Sequence, residues 1–233
     1  MKQSLINFPD PRAHHFAEWV IVGDYYYKAS DIILFGGRVT PENLRNAYSL
    51  GIFPWPIEGL PLPWFCPKRR AILEFDKLHV GRSLRKEQKK NLFRFTIDRA
   101  FSDVMTICAQ IKRTDEAGTW ISKDFIETYT ELHKQGGAHS VEAWDESTGE
   151  LVGGLYGVDA GGVFCGESMF HVKPNASKLA LLYLIEHLQT RGATWIDVQV
   201  LTPHIEAFGA CEIERQTFLS KLQETLARNL KLF

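Results

Sequence analysis

The chain has 233 residues, of which 45% are apolar, and its 27 basic and 28 acidic side chains leave a formal net charge of −1. This length and apolar content suit a compact soluble protein with one large domain, or a main domain with a small companion. A charge near zero excludes a generally polyanion-binding surface, so a nucleic acid would have to be met by a local basic patch.

The termini and the cysteines narrow the class further. The N-terminal stretch MKQSLINFPDPRAHHF lacks the apolar core of a signal peptide, and no window approaches the roughly 18 apolar residues of a membrane span, which favours a cytoplasmic protein without membrane contact. Cys66, Cys108, Cys165 and Cys211 are far apart in the chain. Because this spacing fits neither a zinc knuckle nor a disulfide scaffold, we expect four reduced thiols.

The first third of the chain is rich in Pro, Gly and aromatic residues and predicts a small N-terminal domain, residues 1–70, ahead of a larger domain, residues 71–233. EWVIVGDYYYKASDIILFGG predicts two short strands around a turn. TPENLRNAYSLG predicts a helix with Thr40 as N-cap, Pro41 at the first position and Gly51 just past the end. The following IFPWPIEGLPLPWFCP predicts an aromatic loop without regular structure, because of its prolines.

The larger domain predicts strands and helices in an α+β order. AILEFD predicts a strand, and HVGRSLRKEQKKN, DRAFSDVMTICAQIK and KDFIETYTELHKQGG predict helices. HSVEAW, LVGGLYGV and VFCGESMF then predict an antiparallel meander, followed by a helix in NASKLALLYLIEHLQTRG, a strand in TWIDVQV and a C-terminal helix from about Arg215. This order favours an acyltransferase (GNAT)-like sheet flanked by helices.

Two polar residues share one face of the predicted strand TWIDVQV. Its period of two places Asp197 and Gln199 with Trp195 on one side. An acid and an amide in this arrangement can form a relay or orient a substrate. Alternatively, they satisfy only neighbouring backbone or tryptophan groups, and the pattern leaves both interpretations open.

Glu167 is the one acid inside the otherwise apolar stretch FCGESMF. The same period of two places it beside Cys165 and Met169, with Phe164, Ser168 and Phe170 on the other side. A carboxylate there needs a cationic or protic partner, because burying an unpaired charge is costly. That partner can belong to a buried salt bridge or to a ligand, such as an ammonium group.

Two further features have a functional and a structural interpretation. Cys165 could act as a nucleophile with His139 or His171 as base, although a free cysteine is more often a small buried apolar residue. The basic run from residue 82 to residue 90 can be a solvated helix face or a phosphate-binding patch.

Several common catalytic motifs are missing from the sequence. It contains no GxxxxGK[ST], GxGxxG, HExxH or GxSxG, so nucleotide hydrolysis, hydride transfer, zinc proteolysis and hydrolase-fold esterase chemistry lose support. The junction HVKPNASK also lacks the glycines of a pyrophosphate loop. An acyl donor other than acetyl-CoA therefore fits better.

Taken together, GIFPWP, WFCPKRRAIL, GTWIS, AHSVEAW, LVGGLYGV, FCGESMF, NASKLALL, IDVQV and GACEI resemble the bacterial leucyl/phenylalanyl-tRNA protein transferases. The blocks keep the family's order from about residue 32 to residue 220. The resemblance implies a transferase that moves Leu or Phe, and less well Met, from tRNA to the N-terminal Lys or Arg of an acceptor protein, marking it for N-degron proteolysis. Because the donor ester is already activated, the resemblance implies no cofactor and no metal.

The resemblance also implies site residues. Asp197 and Gln199 match residues of the proton relay or of electrostatic activation, and Glu167 matches a residue at the reacting centre. Positions matching the aminoacyl and adenine pocket are Trp55, Trp120, Leu155, Tyr156, Phe164, Ser168 and Leu184, of which Leu184 stands where an aromatic residue is expected. Arg82, Arg85 and Lys86 match a basic region that meets the acceptor-stem backbone.

Two alternatives to this function stay open at the level of sequence. One is a related aminoacyl-tRNA-dependent acyltransferase with a different acceptor. The other is a non-catalytic protein that binds basic N-termini. We expect a monomer in each case.

Overall fold

The N-terminal part of the chain forms two small sheets and one helix. In the computed structural model, which describes residues 5–23, 25–111 and 121–233, Thr40 caps the helix by accepting the N–H of Asn43, as predicted. The elements are β1 (Trp19–Val22), β2 (Tyr25–Lys28), β3 (Ile32–Phe35), α1 (Pro41–Ser49), β4 (Phe53–Pro54) and β5 (Pro63–Phe65). Strands β1 and β2 form an antiparallel hairpin, and β3, β5 and β4 form a second sheet in that order.

Two predictions for this part need correction. The stretch before the helix holds three strands rather than two, because β3 pairs with β5 instead of extending the hairpin. The proline-rich segment after α1 is also not wholly irregular, since β4 and β5 pair within it. Pro54 is the last residue of its strand and Pro63 the first, positions at which a missing N–H interrupts little of the ladder.

A seven-stranded mixed sheet forms the centre of the larger part. Its order is β12-β6-β11-β10-β9-β8-β7. The strands are β6 (Arg69–Glu74), β7 (Phe93–Ile97), β8 (Ala138–Asp145), β9 (Leu151–Asp159), β10 (Phe164–His171), β11 (Trp195–Gln199) and β12 (Cys211–Glu214). The helices are α2 (Arg82–Gln88), α3 (Phe101–Gln110), α4 (Lys123–Lys134), α5 (Ala176–Thr190), α6 (Pro203–Glu206) and α7 (Arg215–Leu226).

The connections confirm the predicted α+β fold with an antiparallel meander. Strands β8, β9 and β10 form the predicted antiparallel meander, and β7, which the sequence pattern missed, pairs antiparallel with β8 although α3 and α4 lie between them in the chain. Helix α5 then leads to β11, which lies parallel to β10. Strand β6 pairs antiparallel with both β11 and the short edge strand β12, which the sequence pattern also missed.

Two apolar cores cover the two faces of this sheet. Helix α5 closes one face, where Leu181, Leu184, Ile185 and Leu188 are all buried as predicted. The opposite face packs against α1, α3, α4 and α7. Below, these are called the α5 face and the α1/α4 face.

The core on the α1/α4 face is shared by both parts of the chain. It joins Leu44 and Tyr48 of α1 with Tyr129 of α4 and Phe218 of α7. The division at residue 70 thus stays a prediction, although β6 of the large sheet begins at Arg69. Among the described helices, none is long and apolar enough to cross a membrane.

Candidate active site

A β-bulge in β10 places Glu167 outside the regular pairing with β9. Gly166 pairs with Gly157 and Ser168 pairs with Tyr156, so Glu167 is the extra residue between them. The bulge reverses the alternation of side chains after this point. The predicted sharing of faces is therefore wrong for the second half of the strand.

The two cores show where each side chain of β10 lies. Cys165 and Phe170 belong to the core on the α1/α4 face, whereas Phe164 and Met169 pack on the α5 face. Glu167 lies with Cys165 on the α1/α4 face, as its hydrogen-bond partners show. Met169 does not share that face, because the inserted residue moves every later side chain of β10 to the face opposite the one predicted.

Glu167 accepts hydrogen bonds from three side chains that are distant in sequence. The Tyr48 hydroxyl donates to Oε1 at 2.6 Å, the Gln199 amide donates to Oε1 at 2.5 Å, and the Tyr129 hydroxyl lies 3.4 Å from Oε2. The two tyrosine hydroxyls are 2.8 Å apart. Among the described residues, the partners of this acid are therefore protic, and that part of the chain contains no buried salt bridge to Glu167.

The environment of Glu167 changes its proton affinity. Burial raises the pKa of its carboxyl from 4.5 to about 7, against the opposing effect of the hydrogen bonds from Tyr48 and Gln199. Burial also raises the pKa of Tyr48 and Tyr129 well above 10, and the nearby Glu167 charge adds to this. The tyrosines are thus neutral donors, while Glu167 can exchange a proton near neutral pH.

The buried salt bridge lies one strand away, at Asp197. Arg70 donates from Nε to Oδ1 at 2.9 Å and from Nη2 to Oδ2 at 2.6 Å, and both side chains are 1% exposed. The guanidinium is also stacked between the rings of Phe53 and Phe218, at 4.5 and 4.6 Å from their centroids. Arg70 is neither of the partners that the structural interpretation named, a neighbouring backbone group or a tryptophan, because it lies 127 residues away in the chain.

Gln199 connects the two acids. Its backbone N–H donates to Oδ1 of Asp197 at 2.9 Å, while its side chain donates to Glu167. Its φ of 61° lies in the left-handed region, which a non-glycine residue adopts at an energetic cost. The hydrogen bond to Asp197 offsets this cost and holds the amide toward Glu167, so the structure brings Asp197, Gln199 and Glu167 together.

Strands β10 and β11 separate at this point. Within the described residues, the ladder between them contains the single pair Cys165 and Asp197. Glu167 and Gln199 come two residues after this pair on their strands, each at an irregularity in the pairing with the other neighbouring strand. The backbone ladder between the strands therefore ends before Glu167 and Gln199, which leaves an opening that the hydrogen bond between these two side chains spans.

A cleft of about 450 Å³ lies beside this opening, between the N-terminal part of the chain and the end of β11. Its lining includes Phe53, Trp55 and Phe65 from the first part, and Gln199 and Val200 from the second. The predicted site residues Trp55 and Gln199 are thus brought to one cavity. The aromatic segment around FPWP forms its apolar wall.

The other predicted pocket residues are divided between the two faces. Leu155, Phe164 and Leu184 are buried together in the core on the α5 face. Tyr156 lies on the α1/α4 face, edge-on to Tyr129 at 6.0 Å, and Ser168 is its partner in the strand ladder. Trp120 lies outside the described residues.

The predicted basic helix forms and is exposed to solvent. Arg82, Arg85 and Lys86 are exposed on α2, while Leu84 is buried beneath them. A groove of about 710 Å³ separates α2 from the segment that follows β11, and its lining includes His79, Lys178 and His204. The exposed cations of α2 thus lie beside a groove whose other wall is the segment directly after β11.

Cys165 has the properties of a buried apolar residue. It is 2% exposed, and burial raises the pKa of its thiol well above 9. His139, one of its two predicted bases, is paired with Asp98 instead, at 2.7 Å. This environment disfavours a thiolate nucleophile.

One cluster in the described chain has side chains suited to a metal ion, namely Asp98, His133 and His139. Nδ1 of His139 lies 2.7 Å from Asp98, and Nδ1 of His133 lies 2.8 Å from the carbonyl oxygen of Ala138. Asp98 also accepts the N–H of Ser140. Because hydrogen bonds use these ligand atoms, the geometry favours a structural cluster.

Arg70, Tyr48 and Tyr129 are the site residues that the sequence pattern did not indicate. Arg70 lies in the block WFCPKRRAIL directly after Arg69, and the sequence does not show which of the two arginines is buried. Tyr129 repeats at helical spacing with Ile126 and Leu132, which predicts only a core residue, and the pattern around Tyr48 indicates a helix without a role for the tyrosine. Their role at Glu167 depends on contacts over 119 and 38 residues of chain.

Comparisons with known proteins identify relatives over most of the chain. A profile described as leucyl/phenylalanyl-tRNA protein transferase matches residues 72–223, and one described as the N-terminal domain of that transferase matches residues 37–68. The leucyl/phenylalanyl-tRNA–protein transferase of Pseudoalteromonas atlantica is 47% identical over 195 residues, covering 84% of this chain and 82% of that protein.

Other relatives carry the same name. The transferase of Flavobacterium johnsoniae is 47% identical over 192 residues, with 82% of this chain and 90% of that protein covered. The transferase of Myxococcus xanthus is 48% identical over 197 residues, with coverages of 84% and 83%. These matches confirm the resemblance found in the sequence blocks, and the chain belongs to the leucyl/phenylalanyl-tRNA protein transferase family.

Proposed function

We propose that this protein transfers Leu or Phe, and less well Met, from aminoacyl-tRNA to the N-terminal Lys or Arg of an acceptor protein. The acceptor's α-amine attacks the ester carbonyl, so the new C–N bond forms as the bond to the 3′-oxygen of the tRNA breaks. The amine loses one proton and the departing oxygen gains one. The observation that carries this proposal is Glu167, with a pKa of about 7, at the opening between β10 and β11.

Glu167 is the group that receives the proton. An N-terminal amine is cationic when protonated and becomes a nucleophile only when it has lost that proton. With a pKa of about 7, Glu167 is largely ionised just above neutral pH and can accept it. Tyr48 and Tyr129 orient the carboxylate through their hydroxyl groups.

Gln199 positions the amine. Its Nε2 is used in the hydrogen bond to Glu167, so its Oε1 is the atom that can accept a hydrogen bond from the amine. Asp197 acts on the amine through Gln199, because Arg70 and the Gln199 N–H occupy its oxygens. We therefore assign Asp197 and Arg70 as positioning residues, with Glu167 as the base.

The donor's apolar side chain lies on the α5 face, against Leu155, Phe164 and Leu184. This set is apolar throughout, which suits Leu, Phe and Met. The terminal adenosine then occupies the cleft near Trp55, where an aromatic ring can stack on a base. The ester then lies between the apolar set and the cleft, at the opening between β10 and β11.

The acceptor stem of the tRNA follows α2 and the adjacent groove. Arg82, Arg85 and Lys86 are exposed, and the groove adds Lys178 and two histidines without a carboxylate in its described lining. Such contacts to phosphates position a nucleic acid with little dependence on its sequence. Selection would then rest on the amino acid and the terminal adenosine.

The remaining features of the proposal concern the cellular setting. The protein acts as a monomer in the cytoplasm, where both aminoacyl-tRNA and acceptor proteins are available. The transferred residue is a large apolar N-terminal residue that marks the acceptor for proteolysis. Because the donor is an activated ester, the chemistry calls for neither ATP nor a metal.

Transfer of label tests this function directly. The protein is incubated with Phe-tRNA or Leu-tRNA that carries a labelled amino acid, together with a peptide that begins with Arg, and with a matched peptide that begins with Glu. Label is expected on the Arg peptide only. No label with either donor, while the Arg peptide still binds, would indicate a binding protein, and label on the Glu peptide would indicate a different acceptor.

A further inference from the structure

The C-terminal segment, residues 230–233, is packed on the α5 face and lies beyond the residues that the family profiles match. Leu232 is 1% exposed, and its carbonyl oxygen accepts a hydrogen bond from Nε2 of His187 at 2.8 Å. Leu230 passes close to Gly162, because a Cβ added at this glycine would lie 3.5 Å from the backbone N of Leu230. The segment is thus fixed to both the β9–β10 turn and helix α5.

The ring of Phe233 lies between two histidines. It stacks on His139 of β8, with centroids 3.8 Å apart and planes 10° apart. On the other side, the ring of His187 from α5 lies at 5.4 Å and 27°. Asp98 holds His139 in this orientation at 2.7 Å, so the position of Phe233 is determined from three elements.

Phe233 also contacts Phe164, which the proposed function places in the aminoacyl pocket. The two ring centroids are 6.0 Å apart. Phe164 lies over Gly157, where an added Cβ would be 2.5 Å from Cζ of the ring. Gly157 is opposite His139 in the ladder between β8 and β9. The Phe164 ring is therefore confined by Gly157 beneath it and by Phe233 at its edge.

We infer that Phe233 is a specificity-determining residue that sets the size of the aminoacyl pocket by fixing the position of Phe164. This inference rests on the proposed function. If Phe233 loses its ring, Phe164 can move into the space between His139 and His187. The pocket then becomes larger, so it binds the side chain of Phe with less restriction and holds the smaller side chain of Leu less closely.

The size of the effect follows from the sensitivity of apolar pockets to volume. One methylene changes discrimination between substrates by about 10- to 200-fold. Because the Phe164 ring would move without being removed, the change in discrimination should lie at the lower end of this range. We expect the ratio of kcat/KM for Phe-tRNA over that for Leu-tRNA to rise by about tenfold in Phe233→Ala, with a lower value of kcat/KM for Leu-tRNA.

Competition between the two donors tests the inference. The variants are Phe233→Ala, Phe233→Leu, which keeps an apolar side chain but removes the stacked ring and part of its volume, and Leu230→Ala as a control from the same segment. Leu230 contacts the backbone region of Gly162 and Gly192. Each protein is given both donors with one Arg peptide, and its thermal unfolding is measured in parallel.

The expected result is a raised Phe-to-Leu ratio in both Phe233 variants and an unchanged ratio in Leu230→Ala. A ratio that stays unchanged in the Phe233 variants overturns the inference, as does an equal rise in Leu230→Ala, which would indicate a general loosening of the segment. If Phe233→Ala does not fold, Phe233→Leu decides the matter. Absence of transfer by the unmodified protein would overturn the proposed function and this inference together, whereas transfer with an unchanged ratio overturns the inference alone.

Discussion

Arg70 and Asp197 form a bidentate ion pair in the core, with N–O distances of 2.9 and 2.6 Å and 1% exposure of each side chain. Removing one member of such a pair leaves an unpaired buried charge, which costs about 3–5 kcal/mol. We expect Arg70→Met to lose stability of this order in urea unfolding. Asp197→Leu should lose a similar amount.

The double variant separates stability from transfer. Arg70→Met with Asp197→Leu removes both charges, so most of the lost stability should return. Transfer should not return, because the backbone of Gln199 then lacks the acceptor that holds its amide toward Glu167. Recovery of transfer along with stability would show that the pair only maintains the fold.

Glu167→Gln tests the proposed base. The amide keeps the shape of the side chain but cannot accept a proton from the amine, so turnover should fall by about 10²- to 10⁴-fold. In the unmodified protein, log(kcat) should rise with pH up to about 7, where Glu167 becomes ionised, and then level off. The variant should lack this rise of log(kcat) with pH. A rate at pH 8 equal to that of the unmodified protein would exclude Glu167 as base.

Tyr48→Phe should move the rise of log(kcat) with pH toward higher pH. The hydrogen bond from Tyr48 stabilises the ionised carboxylate and lowers the pKa of Glu167, so its removal should raise that pKa above 7. Tyr129→Phe is the matched control, because its hydroxyl lies 3.4 Å from the carboxylate and should affect the pKa less. The measurement is the pH dependence of transfer in both variants. A larger shift in Tyr129→Phe would reverse the assigned roles.

Local periodicity predicts most of the fold. The three long meander strands and α5 have strong patterns, because their side chains alternate between two apolar cores or repeat at helical spacing. Strands β7 and β12 were missed because each lies at an edge of the sheet and has charged residues, Arg94 in one and Glu212 in the other. Edge strands bury less apolar surface, so their pattern is weaker.

The site is less accessible to sequence analysis. The acid within FCGESMF is conspicuous, but a strict period of two cannot reveal that Glu167 is a bulged residue. The pair of Arg70 and Asp197 spans 127 residues of chain, and that of Tyr48 and Glu167 spans 119. Such contacts depend on the tertiary fold, so local pattern cannot predict them.

The salt dependence of tRNA binding tests α2. Each phosphate contact contributes about 0.7–0.9 to the slope of log K against log salt. Replacing Arg85 and Lys86 by Ala should therefore reduce the slope by about 1.5. Lys123→Ala with Lys134→Ala on α4 is the matched control, since both lysines are exposed on the opposite side of the sheet. Equal slopes in the two double variants would return α2 to the role of a solvated surface.

The raised pKa of Glu167 also predicts how stability varies with pH. Between about pH 4.5 and pH 7 the folded protein keeps a proton on Glu167 that the unfolded chain releases. The free energy of unfolding should therefore fall as pH rises through this window, and Glu167 adds no further change above it. Since each pKa unit corresponds to about 1.4 kcal/mol, the contribution reaches up to about 3 kcal/mol.

Glu167→Gln removes this contribution. Between pH 5 and pH 8, the unmodified protein should lose up to about 3 kcal/mol more than the variant in urea unfolding. Glu127→Gln is the control, because Glu127 is exposed on α4 and should leave the difference unchanged. If the unmodified protein and Glu167→Gln lose the same stability over this range, Glu167 has an ordinary proton affinity, and its assignment as the base near neutral pH loses its physical ground.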